Sequence, residues 1–139
     1  MVTSRARNLI AALWLLPAVV AAGGNSPHVN YMLHCQGCHL EGGRGHPGIV
    51  PKMQGEIGQF LKSQAGRAYL VQVPGSAQSF LDDAQLAEVL NWMLREFDPK
   101  RVAPDFQPYT AAEVTRYRAT QLADVGATRR ALLAGELGD

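Results

Sequence analysis

Residues 35–39 read CQGCH, and Cys35 and Cys38 are the only cysteines in the chain. Side chains three apart on a helical turn share one face, about 5–6 Å from each other, so two thiols there can grip the edge of one flat object. His39 follows directly, and its ring nitrogen can ligate a metal at the centre of whatever the thiols hold. Cys-x-x-Cys-His is the sequence signal for covalent attachment of a c-type haem. Three other chemistries use the same residue types. Structural zinc needs four ligands, usually from a second cysteine pair or closely spaced histidines; here His28, His34 and His46 are scattered and no second pair exists. A thioredoxin-like redox pair belongs after a strand in a βαβ unit, and no such alternation flanks residue 35. A disulfide between cysteines three apart would close a very small loop. Haem is the strongest of the four readings.

The elements that must present this motif read as helices. NSPHVNYMLH begins like one: Asn25 or Ser26 can cap it, Pro27 suits its first turn, and Val29, Met32 and Leu33 sit at i, i+3 and i+4 as an apolar stripe. The motif then closes a short helix. EGGRGHPGIVP, residues 41–51, is too rich in glycine and proline for regular structure and must wrap around something. It lacks the G-x-x-x-x-G-K-[ST] and strand-led G-x-G-x-x-G patterns, so it does not read as a nucleotide cradle. Residues 56–63 and 66–73 read as two short helices, the second stopped by Pro74 and Gly75, with PGSAQSF as a loop. DDAQLAEVLNWMLREF is the clearest helix: Asp82 can cap it with Gln85 three residues on, and Leu86, Val89, Leu90, Met93 and Phe97 form its apolar stripe. No segment after the N-terminal run alternates like a half-buried strand. The expected fold is all-α.

Three regions divide the chain. Arg5 and Arg7 precede the apolar run LIAALWLLPAVVAA, which holds Pro17, ends in small residues and falls short of the ~20 residues a spanning helix needs. Residues 1–22 therefore read as a signal peptide cut after Ala22, the alternative being a retained anchor. No second hydrophobic span follows. With Arg5 and Arg7 removed, the net formal charge is −1, and no basic run or face suggests nucleic acid. Residues 23–98 read as the main domain. Residues 99–139 form an extension: a Pro-interrupted linker, a helix opened by a Thr110/Glu113 capping box, and a further short helix closed by Gly135. Its role is a strap around the core or a docking surface.

A helix ending in Cys-x-x-Cys-His, a Gly-rich loop, two short helices and a strong final helix together resemble the class I c-type cytochromes over about residues 25–98. The resemblance implies a class I cytochrome c-like helical fold around one covalently attached haem c, with Cys35 and Cys38 as its thioether anchors and His39 as the proximal iron ligand. Tyr31 matches the aromatic four residues before the first cysteine and should pack near Trp92. Pro51 matches the proline whose carbonyl accepts the proximal histidine's free N–H, and Tyr69 matches an aromatic facing the distal side. Pro27 stands where the family has a small glycine, which puts the crossing of first and last helices in question.

The sixth ligand departs further. The family's axial methionine lies in a Met-Pro pair before the last helix, and this chain has Val73-Pro74 there. Met32 reads as core, Met53 as packing beside the proximal histidine, and Met93 as packing against the haem edge; Met53 and Met93 are weak ligand candidates. His28 and His46 read as solvent-facing, and His34 is tethered too close to Cys35. The resemblance thus implies an exported, periplasmic monohaem cytochrome, not an enzyme, passing single electrons between a periplasmic dehydrogenase or other redox enzyme and a downstream acceptor. It would act as a free carrier or as a subunit of a larger complex. With only Lys52, Lys62 and Lys100 after the signal, strong steering toward an acidic partner is not expected. The alternative, resting on the missing methionine, is a five-coordinate haem sensor, small-ligand binder or peroxidase-like protein. There Arg67 would border the distal pocket or pair with a haem propionate.

Overall fold

Helix formation begins where side chains satisfy the free N–H groups of a first turn, and among the described residues each α-helix longer than a single turn carries such a cap. In the computed structural model, which describes residues 24–138, the elements in order are α1 (Pro27–His34), the single turn α2 (Gln36–His39), α3 (Gln64–Gln72), the turn α4 (Pro74–Ala77), α5 (Asp83–Phe97), α6 (Ala111–Arg118) and α7 (Val125–Ala134). Short 3₁₀ segments at Glu41–Gly43 and Ile57–Lys62 link α2 to α3. Among the described residues the only β-type pairing is an isolated bridge between His46 and Val50, so the fold is all-α. No helix among them is long and apolar enough to cross a membrane. The signal-peptide reading of residues 1–22 lies outside the described residues.

α5 is the axis of the core. Asp82 accepts from the Gln85 N–H at 2.8 Å, and the Gln85 side chain accepts from the Asp82 N–H at 3.0 Å, a complete capping box. Leu86, Val89, Leu90, Met93, Leu94 and Phe97 are buried along it. α1 crosses this helix through aromatics: the Tyr31 ring lies 5.4 Å from Trp92 and 5.1 Å from Phe97, contacts that each add about 0.5–1.5 kcal/mol beyond area burial. Tyr31 therefore sets the rotation of α1, and it overturns the expected stripe. Asn30 and Tyr31 form the buried face, while Val29, Met32 and Leu33 are turned outward, with 49% of Met32 and 64% of Leu33 exposed. Met32 is not a core residue.

Two other elements differ from expectation. Ser63 caps α3 by accepting from the Gly66 N–H at 3.1 Å, so the helix starts ahead of residue 66 and the segment before it winds as 3₁₀. A Cβ at Gly66 would lie 2.1 Å from the Phe60 carbonyl oxygen, so only glycine lets the two segments meet. Residues 74–77 form a helical turn rather than open loop, because Pro74 presets the first-turn φ and Gln78 donates back to its carbonyl.

The segment after Asp98 shares the core. Tyr109 and Val114 are buried in the same cluster as α5, and Asn91 holds the Tyr109 backbone from both sides, donating to its carbonyl at 3.0 Å and accepting from its N–H at 2.7 Å. Thr110 caps α6, accepting from the Glu113 N–H at 3.2 Å. The reciprocal half of that box does not form, because Glu113 instead binds Arg67 through two bonds of 2.8 Å. Asp124 caps α7, and Gly135 ends it at φ 76°, a left-handed turn that favours glycine.

Candidate functional site

The site is built on the junction of α1 and α2. Cys35 closes α1 by donating its N–H to the Tyr31 carbonyl at 2.9 Å, and its own carbonyl then accepts from Cys38 (3.2 Å) and His39 (3.0 Å). One turn thus carries all three residues of the motif. The thiols are unbridged, Cys35 partly buried and Cys38 exposed. Burial pushes the Cys35 thiol up to about 11. A thiol raised in this way is not an activated, attacking thiol. No group of three or more His, Cys, Asp or Glu side chains placed to hold a metal ion gathers among the described residues, so a four-ligand zinc centre has no ligand set there.

His39 is half-buried, and burial lowers its pKa, partly opposed by the Pro51 carbonyl. Its Nδ1 is buried and completes no hydrogen bond. The imidazole therefore lies beside the Pro51 carbonyl, with burial favouring its uncharged form. The loop that brings Pro51 there depends on Gly45. Gly45 donates to the His39 carbonyl at 2.8 Å with φ 63°, and a Cβ on it would lie 2.4 Å from the Val50 oxygen and 2.7 Å from the Pro51 oxygen. Gly43, also at positive φ, accepts from Met53 at 2.8 Å, and its missing side chain makes room for the Phe97 ring.

Leu40, directly after His39, has φ 61° and ψ 170°, a region occupied almost solely by glycine. The Tyr31 hydroxyl donates to the Leu40 carbonyl at 2.5 Å, so the same aromatic that orients α1 also pins this strained residue.

The residues fit a flat, apolar, metal-bearing group. An orphaned imidazole nitrogen and two unbridged thiols occupy one turn, and large apolar side chains stand uncovered on the neighbouring segments: Leu33 on α1, Ile49 in the loop (84% exposed) and Phe80 beyond α4 (96% exposed). Two clefts, of about 760 and 520 Å³, include none of the motif residues; the larger lies between α3 and residues 101–113.

The remaining sequence candidates separate. Tyr69 is buried on α3, stacked on Phe60 at 4.9 Å, and burial raises its pKa. Met53 and Met93 are core residues. His34 and His46 are exposed, and His28, also exposed, stacks on Trp92 at 5.1 Å. Arg67 does not offer its guanidinium to a bound anion or a distal pocket: it binds Glu113, donates to the Gln107 carbonyl at 3.0 Å and lies 4.2 Å from the centre of the Tyr109 ring. Its role is to hold the C-terminal segment. Sequence reading missed Arg118, which binds the stretch between α4 and α5; α6 also carries Glu113 and Arg116, and nothing local distinguishes Arg118 from them.

An all-α shell that carries a half-buried imidazole and two unbridged thiols on one Cys-x-x-Cys-His turn is an arrangement suited to a covalently held haem. No protein-family model matches the chain. Over 106 aligned residues it is 32% identical to cytochrome c-552 of Thermus thermophilus, an alignment taking in 63% of this chain and 81% of that protein. A second cytochrome c-552, from a particular strain of the same species, is also 32% identical over 106 residues, with 72% of its length covered. The chain belongs to the c-type cytochromes, electron carriers rather than enzymes, with covalently attached haem c as cofactor and redox proteins as partners.

Proposed function

We propose that this chain is an exported, periplasmic monohaem cytochrome that passes single electrons from a periplasmic redox enzyme, such as a dehydrogenase, to a downstream acceptor. Cys35 and Cys38 would form the thioethers, and His39 would be the proximal iron ligand. The observation that carries this reading is the placement of both thiols and the buried, unpaired imidazole Nδ1 on one helical turn. The haem supplies the one-electron step when bound. The chain's own residues do the rest: Pro51 orients the imidazole through its carbonyl, α5 excludes water along its apolar face, and Tyr69 lends an aromatic wall on α3. In this reading residues 1–22 are the removed signal, 23–98 the haem domain, and 99–139 an extension compatible with membership of a larger complex.

Mass spectrometry of the purified chain and its denatured visible spectrum test this directly. One haem per chain, retained after denaturation, is the expected result. Cys35→Ala with Cys38→Ala should release the pigment on denaturation; covalent pigment surviving in that variant refutes the assignment. Size-exclusion of the protein from native extracts separates a free carrier from a fixed subunit.

A second reading concerns the iron's far side, as a five-coordinate haem that binds small ligands. It is favoured by one observation: Val73 stands in the position of the expected methionine, while Met53 and Met93 are packed in the core and Met53 is bonded through its backbone to the loop following His39. Stretch 73–82 would then cover the iron without ligating it. Prompt binding of CO to the reduced protein supports this reading; a methionine–iron charge-transfer band with no response to CO refutes it.

A further inference from the structure

Stretch 73–82 has an external anchor. Arg118, the last residue of α6, reaches back across 35–42 positions of sequence and makes four hydrogen bonds: Nη1 donates to the Leu81 carbonyl at 3.0 Å and to Asp83 Oδ1 at 2.7 Å, and Nη2 donates to the Ser76 carbonyl at 3.1 Å and to Ser79 Oγ at 3.0 Å. Its side chain is largely buried, and its Nε is buried without a partner. The acceptors lie on both ends of the stretch, so one guanidinium joins α4 to the start of α5. A planar fork with five donors can span such a set; an ammonium cannot. Thr115, one turn earlier on α6, also donates to Asp83 and fixes α6 against the same helix start.

In a cytochrome whose far-side loop ligates the iron, the iron–ligand bond itself restrains that loop. Here Val73 offers no such bond, and Arg118 restrains the loop from outside. We infer that Arg118 is a positioning residue: it locks stretch 73–82 in one shape, so that α6 governs how readily a small ligand reaches the sixth position of the iron. This rests on the reading of 73–82 as the far-side cover.

The test uses the full-length, haem-loaded protein with CO as the probe. CO association after flash photolysis is measured for the reduced wild type, Arg118→Ala, Arg118→Lys and Glu113→Gln, together with their thermal unfolding. Glu113→Gln weakens another of the C-terminal segment's ties, the one to Arg67, without touching the loop. Arg118→Ala should speed CO association by about tenfold or more, because loop opening then limits access less; Arg118→Lys should fall between, and Glu113→Gln should stay within about twofold of wild type. An Arg118→Ala rate within about twofold of wild type, or a Glu113→Gln rate raised as far as that of Arg118→Ala, overturns the inference. Should the wild type show a methionine–iron band and bind no CO, the open-position reading fails by itself. The clamp is then judged by that band, whose loss in Arg118→Ala supports it and whose full retention overturns it.

Discussion

Replacing Gly45 by alanine asks how tightly the loop must close for Pro51 to meet His39. Two costs are separable. A residue with a Cβ pays for the left-handed backbone at φ 63°, and the new methyl would lie 2.4 Å from the Val50 oxygen and 2.7 Å from the Pro51 oxygen. To reach ordinary contact the Val50 carbonyl must retreat by about 1 Å. The backbone costs about 1–2 kcal/mol, the crowding about 1–3 kcal/mol, and the stiffer unfolded chain offsets about 0.4–1 kcal/mol, a net loss near 3 kcal/mol. For a chain of this size that is a fall in Tm of about 10 °C. Gly48 supplies the comparison, since it has φ 74° in the same loop with nothing within 4 Å of its missing Cβ. Gly48→Ala should lose only about 1 kcal/mol. Guanidinium unfolding of the haem-loaded proteins gives both values, and redox titration reads the site. A carbonyl that accepts from a ligating imidazole makes it more basic and favours the oxidised metal, so Gly45→Ala should raise the reduction potential, with about 60 mV for each tenfold loss of that preference. Equal destabilisation by the two variants, with an unmoved potential in Gly45→Ala, would refute the idea that this close approach positions His39.

Other perturbations probe the frame. Asp98 is 2% exposed and accepts from the Gly58 N–H at 2.9 Å, so Asp98→Ala should cost about 1–3 kcal/mol in denaturant unfolding by orphaning a buried donor. The Arg67–Glu113 pair has side chains 16% and 15% exposed; Arg67→Ala should cost about 2–4 kcal/mol, less than a fully buried pair, and should make residues 99–138 more sensitive to limited proteolysis. Hydrogen bonds from Thr115, chiefly, and Arg118 hold the Asp83 carboxyl below its ordinary value of 3.8. Its folded-state pKa is depressed, so the stability it contributes is present above pH 3.8 and is lost as pH falls through the folded value. Acid titration of unfolding should show that step in wild type and a smaller one in Asp83→Asn.

Legibility followed locality. The Asp82/Gln85 capping box, the Ser26 cap and the Gly135 stop depend on residues a few positions apart, and each forms as its local pattern requires. The Tyr31–Trp92 contact was legible only through the family resemblance, because it joins two helices far apart in sequence. The outward turn of Val29, Met32 and Leu33 was not legible: an apolar stripe of three over an eight-residue helix is weaker than one tyrosine wedged among aromatics. The Glu113 box failed for a related reason, since Arg67, 46 residues away, competes for the same carboxylate. At the site, the single turn that carries Cys35, Cys38 and His39 follows from neighbouring residues, as does the glycine-rich loop that leads to Pro51. The strain at Leu40 had no sequence signal, because leucine carries none for such a backbone.

The contacts of Arg118 also order events in time. The motif lies at positions 35–39, while the guanidinium that ties Ser76, Ser79, Leu81 and Asp83 together sits at 118. A chain made from its N-terminus presents the thiols well before the guanidinium. Contacts across such separations must also meet the entropy of closing a long loop before they return any stabilisation. Stretch 73–82 therefore stays unlatched while the cysteines are already accessible, and it gains its external tie only once residue 118 has been made.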